Sequence, residues 1–246
     1  MKKIIIRFLS IFFFLVIWFF LTKFEILPFP SPIETIQSFF LLLFFGEPVM
    51  NATLIEHAGA SLLRVVIGTI IASCFAIPLG ILIGWYKKLD IFSETIVELL
   101  RPIPPIAWIP VSIILFGRAG PIFIVFVGVF FPLLLNVVHG VKNMDSRFVD
   151  LSKTFNANTK QIISKVVIPA SMPSITTGIR IGLGVGWMCI IAAEMISLTG
   201  VGLGYFIITM YDVGHKASMF SGMIMIGIIG YLMNKVLLKL NRYVRH

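Results

Sequence analysis

The chain has 246 residues and 27.5 kDa, with 58% hydrophobic residues, 13% charged residues and a mean hydropathy of +1.02. Soluble domains carry about 25% charged residues, so this surface cannot be covered with polar groups, which excludes a water-soluble monomer and a disordered chain alike. The net charge of +9 does not come from cations clustered with exposed aromatics, as a nucleic-acid surface requires, and is read as the positive bias of loops held on one side of a membrane.

The first apolar run, residues 4–21, follows Met1-Lys2-Lys3. It is longer than a signal-peptide core and no small-residue cleavage site follows, so it reads as a retained anchor. With it, residues 1–56 form an N-terminal anchor helix and an external connection. The second run, 65–84, carries no charge. The third, 99–117, is irregular because Pro102, Pro104, Pro105 and Pro110 sit in it. The fourth covers 119–138, the fifth 173–193 with Arg180 inside it, and the sixth 217–234. Each approaches the roughly 20 apolar residues that a spanning helix needs. The expected fold is an all-α integral membrane protein of about six transmembrane helices. Between 181 and 211 the one charge is Glu194, and Gly200, Gly202 and Gly204 interrupt the stretch. Here the pattern predicts a helix ending near Ser197, a glycine turn and a short apolar segment at the membrane interface.

Six crossings place Lys2, Lys3, Arg7, Lys87, Lys88 and Arg101 on one side. The same side takes Lys142, Arg147, Lys153, Lys160, Lys165, Lys235, Lys239, Arg242 and Arg245. Lys23, Arg118 and Lys216 fall on the other, and Arg64 and Arg180 lie within spans. The bias predicts a multi-pass protein of the cytoplasmic membrane with both termini in the cytoplasm, residues 242–246 forming a short tail. Small residues recur at spacing four in Gly68, Ala72, Ala76, Gly80 and Gly84, and again in Gly178, Gly182 and Gly186. Such stripes let helices approach closely in lipid, within the chain or across a subunit interface.

Catalytic patterns are missing. His57, His139, His215 and His246 are scattered, and Cys74 and Cys189 are isolated in apolar runs. Neither a metal-ligand spacing nor a disulfide framework results. There is no phosphate-binding loop and no nucleophile elbow, and Gly200-Val201-Gly202-Leu203-Gly204 lacks a surrounding βαβ pattern. The chain is expected to be no enzyme and to hold neither metal nor cofactor.

The longest polar connection, 139–172, carries more information. Residues 148–155 and 161–167 each read as a short amphipathic helix, Asn156-Ala157-Asn158-Thr159 turns between them, and Pro169 stops the second. Asn tolerates the left-handed backbone of a tight turn. Leu151, Phe155, Ile162, Ile163 and Val167 give the hairpin an apolar face. It either lies on lipid, as its lysines favour, or docks a soluble partner.

Counting back from Pro169, Asp150-Leu151-Ser152, Asn156, Val166, Ile168 and Pro169 stand at the positions of a motif, E-A-A-x3-G-x9-I-x-L-P. Transport permeases driven by ATP-binding cassette (ABC) proteins carry that motif in a cytoplasmic loop. The spacing matches, while Asp replaces Glu, Leu and Ser replace the two Ala, and Asn replaces Gly. The run Leu99 to Pro110, LLRPIPPIAWIP, is similar to a segment of the permeases for nitrate, sulfonate, taurine and bicarbonate. Gly178-Ile179-Arg180-Ile181-Gly182, Ala192-Ala193-Glu194-Met195-Ile196 and Gly202-Leu203-Gly204-Tyr205 resemble the fifth-helix region of the same group.

The resemblance covers roughly 57–241 and implies a type I ABC importer permease domain there. A small solute, an anion such as nitrate, a sulfonate, taurine or bicarbonate, would be moved by alternating access. The implied partners are cytoplasmic ABC ATPase subunits that bind the ATP, a second permease subunit as a homodimer, an external solute-binding protein and membrane lipid, with no nucleic acid. Asp150, Leu151, Ser152, Asn156, Val166, Ile168 and Pro169 would couple to the ATPase. Arg101, Pro102, Pro104, Pro105, Arg180, Glu194, Gly202 and Gly204 are the pathway or gate candidates. The prolines read equally as a hinge or a plain kink, and Arg180 as a pathway residue or one that snorkels to the interface. Glu194 is expected to brace the 200–204 turn. A secondary transporter or channel without an ATPase is the alternative. It predicts inverted repeats and paired midplane charges.

Overall fold

The computed structural model describes residues 2–197 and 199–244. Arg245 and His246 of the expected tail lie outside the described residues, as do the side chains of Lys2, Lys3, Arg7 and Arg242. The described chain is helical apart from turns and one isolated bridge between Glu47 and Ala52. In chain order its α-helices are α1 (Lys2–Lys23), α2 (Pro32–Phe44), α3 (Leu54–Trp85), α4 (Lys87–Leu100), α5 (Ile109–Phe116), α6 (Gly120–Lys142), α7 (Ser146–Thr154), α8 (Thr159–Ile162), α9 (Ile168–Ile196), α10 (Leu203–Asp212) and α11 (Lys216–Val244). Among the described residues four stretches are long and apolar enough to cross a membrane: Leu54–Trp85, Pro105–Lys142, Thr159–Ile196 and Lys216–Lys239. Helix α1 occupies the place of the expected anchor, its described apolar part being Phe12–Lys23.

The helices form two compact units. In the first, Ser61–Leu198 with Ile229–His246, α6 and α9 pack along their length because glycines bring the backbones together. A Cβ on Gly182 would lie 2.9 Å from the Val129 side chain and 3.2 Å from its carbonyl oxygen, and Gly178 meets Leu133 in the same way. On α3, Gly68, Gly80 and Gly84 face Val125, Val137 and Val141 of α6. Both small-residue stripes therefore serve packing within the chain. Gly182→Val is expected to lower the thermal midpoint of the purified protein, since overpacking costs about 1–3 kcal/mol and the crowded neighbour includes backbone. Gly184→Val, whose Cβ would meet nothing within 4 Å, should leave it unchanged; equal midpoints for the two variants would contradict this packing.

Prolines interrupt the ladders of α3 (Pro78), α6 (Pro132) and α9 (Pro173). One turn on from two of them a side chain bonds back to the proline's own carbonyl, with Asn136 Nδ2 donating to Pro132 O at 2.8 Å and Thr177 Oγ1 to Pro173 O at 2.7 Å.

The third expected span is not one helix over 99–117. Helix α4 occupies 87–100, so it takes in the start of that run and the polar stretch before it. The chain then breaks through Arg101–Pro104, takes a 3₁₀ turn at Pro105–Trp108 and continues as α5. Three prolines within four residues remove the donors and impose the turn. At Gly117, φ 53° and ψ −121° reverse the chain so that α5 lies against α6, with Ser112 beside Gly120. The α5–α6 pair is thus a hairpin, and the crossing it belongs to is a broken one running from α4 through α5.

The second unit comprises Met1–Ala60 and Thr199–Ile228. Ser31 and Glu34 form a capping box that starts α2, with Pro32 in its first turn; this S-x-x-E signal was legible in what was read as a plain connection. Trp18 and Phe29 stack around Phe220 at 5.9 and 5.3 Å, and Ser221 Oγ donates to Thr35 O. Helix α10 packs one face into this unit. Leu203, Gly204, Phe206, Ile207 and Met210 are buried, and Gly222 of α11 closes on Phe206 and Ile207.

Candidate functional site

The polar connection becomes two helices joined by a tight turn. Asp145 caps α7 by accepting from the Arg147 N–H, and Asn158 with Gln161 forms a capping box on α8. Between them Asn156 adopts φ 55°, the left-handed conformation that the motif's Gly provides without strain and Asn accepts at small cost. Pro169 does not stop the second helix. A π-helical turn over Ile163–Val167 runs directly into α9, placing Pro169 in its first turn. The widened turn accommodates a ring that would clash with a regular i−4 carbonyl.

The apolar residues of the hairpin divide. Ile162 and Val167 are buried, whereas Phe148, Leu151 and Phe155 are 56%, 58% and 78% exposed. Phe148 and Leu151, three residues apart, share one face of α7, and Phe155 follows at its C-cap, a stripe the sequence reading found only in part. Around it, Asp150 pairs with Lys153 at 3.4 Å and Ser152 Oγ donates to Phe148 O at 2.7 Å. Of the other motif positions, Val166 and Ile168 are half-buried and Pro169 is exposed.

The gate candidates fall in both units. Arg101 and Pro105 line a cavity of about 400 Å³ with Gly128, Phe131, Asn136 and Val185, while Pro102 and Pro104 shape the break beside it. Lys142 Nζ pairs with Asp90 at 2.6 Å, which fixes the start of α4 beside the end of α6. From there α4 runs antiparallel to α6, and Arg101 comes level with Leu135 and Asn136. Seven residues of α6 separate Leu135 from Lys142, about 10 Å of helix. Arg101 therefore lies at the far end of α4 from Lys87 and Lys88, beside the middle of α6, not in one loop with them as its charge alone suggested. Arg180 is half-buried, its Nε buried with no hydrogen-bond partner among the described residues, and its neighbour Ile181 lines the Arg101 cavity.

Glu194 is fully buried and held from α3: Ser61 Oγ donates to it at 2.8 Å and the Arg64 guanidinium pairs with it. Sequence reading set Arg64 aside as a span charge. The available signal was that Arg64 and Glu194 are opposite charges, each inside an apolar stretch, where lone charges are costly. In the other unit the glycine turn is gripped by His57, which is fully buried. Its Nδ1 accepts from the Gly202 N–H at 3.0 Å, and its ring lies 5.2 Å from Phe206. Gly202 has φ 148°, so only glycine fits there without strain. Gly204 is buried in the first turn of α10. Nothing in the sequence distinguished His57 from the other scattered histidines. Among the described residues no group of His, Cys, Asp and Glu is arranged to hold a metal ion.

Comparison with known proteins adds to this geometry. Residues 76–246 match the family described as binding-protein-dependent transport system inner membrane component. A Methanocaldococcus jannaschii protein described as an ABC transporter permease is 44% identical over 187 residues, 75% of this chain and 70% of its own. The bicarbonate transport system permease protein of Synechococcus elongatus is 30% identical, covering 94% and 86%. The taurine transport system permease protein of Escherichia coli is 33% identical, covering 87% and 78%. In fold, the chain is similar to one from inward-facing conformations of the MetNI methionine ABC transporter. The TM-score is 0.66 at 19% identity, over 78% of this chain and 95% of that one.

Proposed function

The chain belongs to the family of binding-protein-dependent transport system inner membrane components, and from that premise we propose that it is the translocating subunit of an ATP-driven importer for a small anion of the nitrate, sulfonate, taurine or bicarbonate kind. Its relatives carry such solutes in their names. The ATPase is a separate cytoplasmic subunit, a second copy of this chain completes the pathway, and an external binding protein delivers the solute. Both termini face the cytoplasm, the side that holds most of the cations.

The observation that carries the reading is the α7–α8 hairpin. It projects an unpartnered stripe of Phe148, Leu151 and Phe155 around a left-handed Asn156, at the spacing of the coupling motif. Closure of the ATPases on ATP moves the hairpin, and α9, continuous with it through the π turn, transmits the motion. ATP biases the two states only through a difference in its affinity for them. Asn156→Val strains the turn by about 1–3 kcal/mol. It is expected to cut ATP-dependent uptake in reconstituted vesicles about tenfold, equivalent to about 1.4 kcal/mol, with membrane insertion unchanged, while Asn156→Gly retains activity. Full transport by the Val variant would refute the coupling role.

A further inference from the structure

We propose that α4 and the proline break form a mixed-charge inner vestibule for a solute carrying both a small oxyanion and an ammonium group, the class of amino-sulfonates and similar short zwitterions. This rests on the import reading above. Two cavities meet at Arg101. One, of about 400 Å³, lies against the break; the other, of about 200 Å³, runs along α4 past Glu98 and Glu94 to Asp90 and Lys142. Arg101 and Leu135 line both, so the two are neighbouring chambers on one side of α6.

The charges on this route are not those of a channel for a plain anion. Asp90 and Lys142 pair and cancel. That leaves Arg101 facing the upper chamber and Glu98 and Glu94 facing the lower one. These three side chains are exposed, yet they sit on a helix that climbs about 21 Å from Lys87 to Leu100, beside an apolar partner helix. The opposite face of α4 presents Phe92, Ile96 and Leu99, so the helix is amphipathic and turns its charged face to the cavities. Glu94, Glu98 and Arg101 line one cavity with Leu134, Leu135 and Val138 of the spanning helix α6, where ionisable groups point to a solute path. A simple anion drawn to Arg101 would next meet two carboxylates that repel it. A zwitterion meets both signs in turn. Glu98 and Arg101, three residues apart on the helix, hold their Cβ atoms about 5–6 Å from each other. A solute with its charges joined by a short aliphatic linker can therefore place its oxyanion on Arg101 and its ammonium on Glu98.

The test uses the complete transporter (this chain with its ATPase and binding protein) in proteoliposomes, with radiolabelled taurine, nitrate and bicarbonate as probes. Taurine is expected to be taken up in an ATP-dependent way. Both Arg101→Gln and the isosteric double variant Glu94→Gln/Glu98→Gln should lower its uptake at least tenfold, with insertion and the elution profile unchanged. The sign of the carboxylate effect decides: faster or unchanged uptake after removal of the two carboxylates overturns the proposal, because a plain anion is helped by their loss. Uptake of nitrate or bicarbonate without taurine also overturns it and leaves the import function standing. Uptake of none of the three probes overturns it as well, and ATP hydrolysis stimulated by the binding protein then reports separately on the import function.

Discussion

Replacing Glu194 with alanine is expected to destabilise the protein by about 3–5 kcal/mol, the usual cost of removing one partner from a buried ion pair. The carboxylate is fully buried and its partner Arg64 is 19% exposed, so the variant leaves a guanidinium largely cut off from water with its counter-charge gone. Glu194→Gln keeps the hydrogen bond from Ser61 but not the charge. Because the guanidinium is the stronger partner, the Gln variant should fall close to the Ala variant. The double variant Arg64→Met/Glu194→Leu removes both charges and should recover most of the lost stability, since apolar replacements of buried pairs are often neutral. Thermal unfolding midpoints in one detergent measure all four proteins. A Gln variant as stable as wild type would show that the charge contributes nothing, and this account of the pair would be wrong.

If the α7–α8 hairpin is the proposed ATPase contact, Phe155→Asp is expected to separate the two chains. Phe155 is 78% exposed, so the substitution costs the folded chain little. Aromatic side chains of this kind anchor interfaces, and their loss typically costs 2 kcal/mol or more of binding, which is about thirtyfold or more in affinity. ATP-dependent uptake should drop to background and the ATPase should no longer co-elute with the permease from a size-exclusion column. Co-elution at wild-type levels would place the ATPase contact elsewhere on the chain.

What the sequence disclosed follows from how local each signal is. Long apolar runs identify α3, α6, α9 and α11 because burial in lipid needs about 20 apolar residues whatever surrounds them. Asn156 was readable as a left-handed position because the turn and its conformation are set by neighbouring residues. Helix α4 was not: its charged face breaks the apolar pattern before residue 99, and it is the Asp90–Lys142 pair, across distant sequence, that sets its start beside the end of α6. The Arg64–Glu194 pair and the His57 grip on Gly202 have the same character. Their partners are separated by 130 and 145 residues, so no window along the chain brings them together. The π turn before α9 was hidden for another reason. Proline usually ends a helix, and the widened turn that lets this one continue is a backbone adjustment with no composition of its own.

The central claim is that the α7–α8 hairpin is where ATP binding reaches the membrane helices. The most direct measurement is site-specific crosslinking. Leu151→Cys, in a chain with Cys74 and Cys189 replaced by serine, is combined with cysteines on the surface of the ATPase subunit in the assembled transporter. The account predicts a short-range crosslink that forms in high yield and abolishes ATP-dependent uptake until it is reduced. A transporter that imports normally while Leu151→Cys never crosslinks to the ATPase, or crosslinks without affecting uptake, would contradict it.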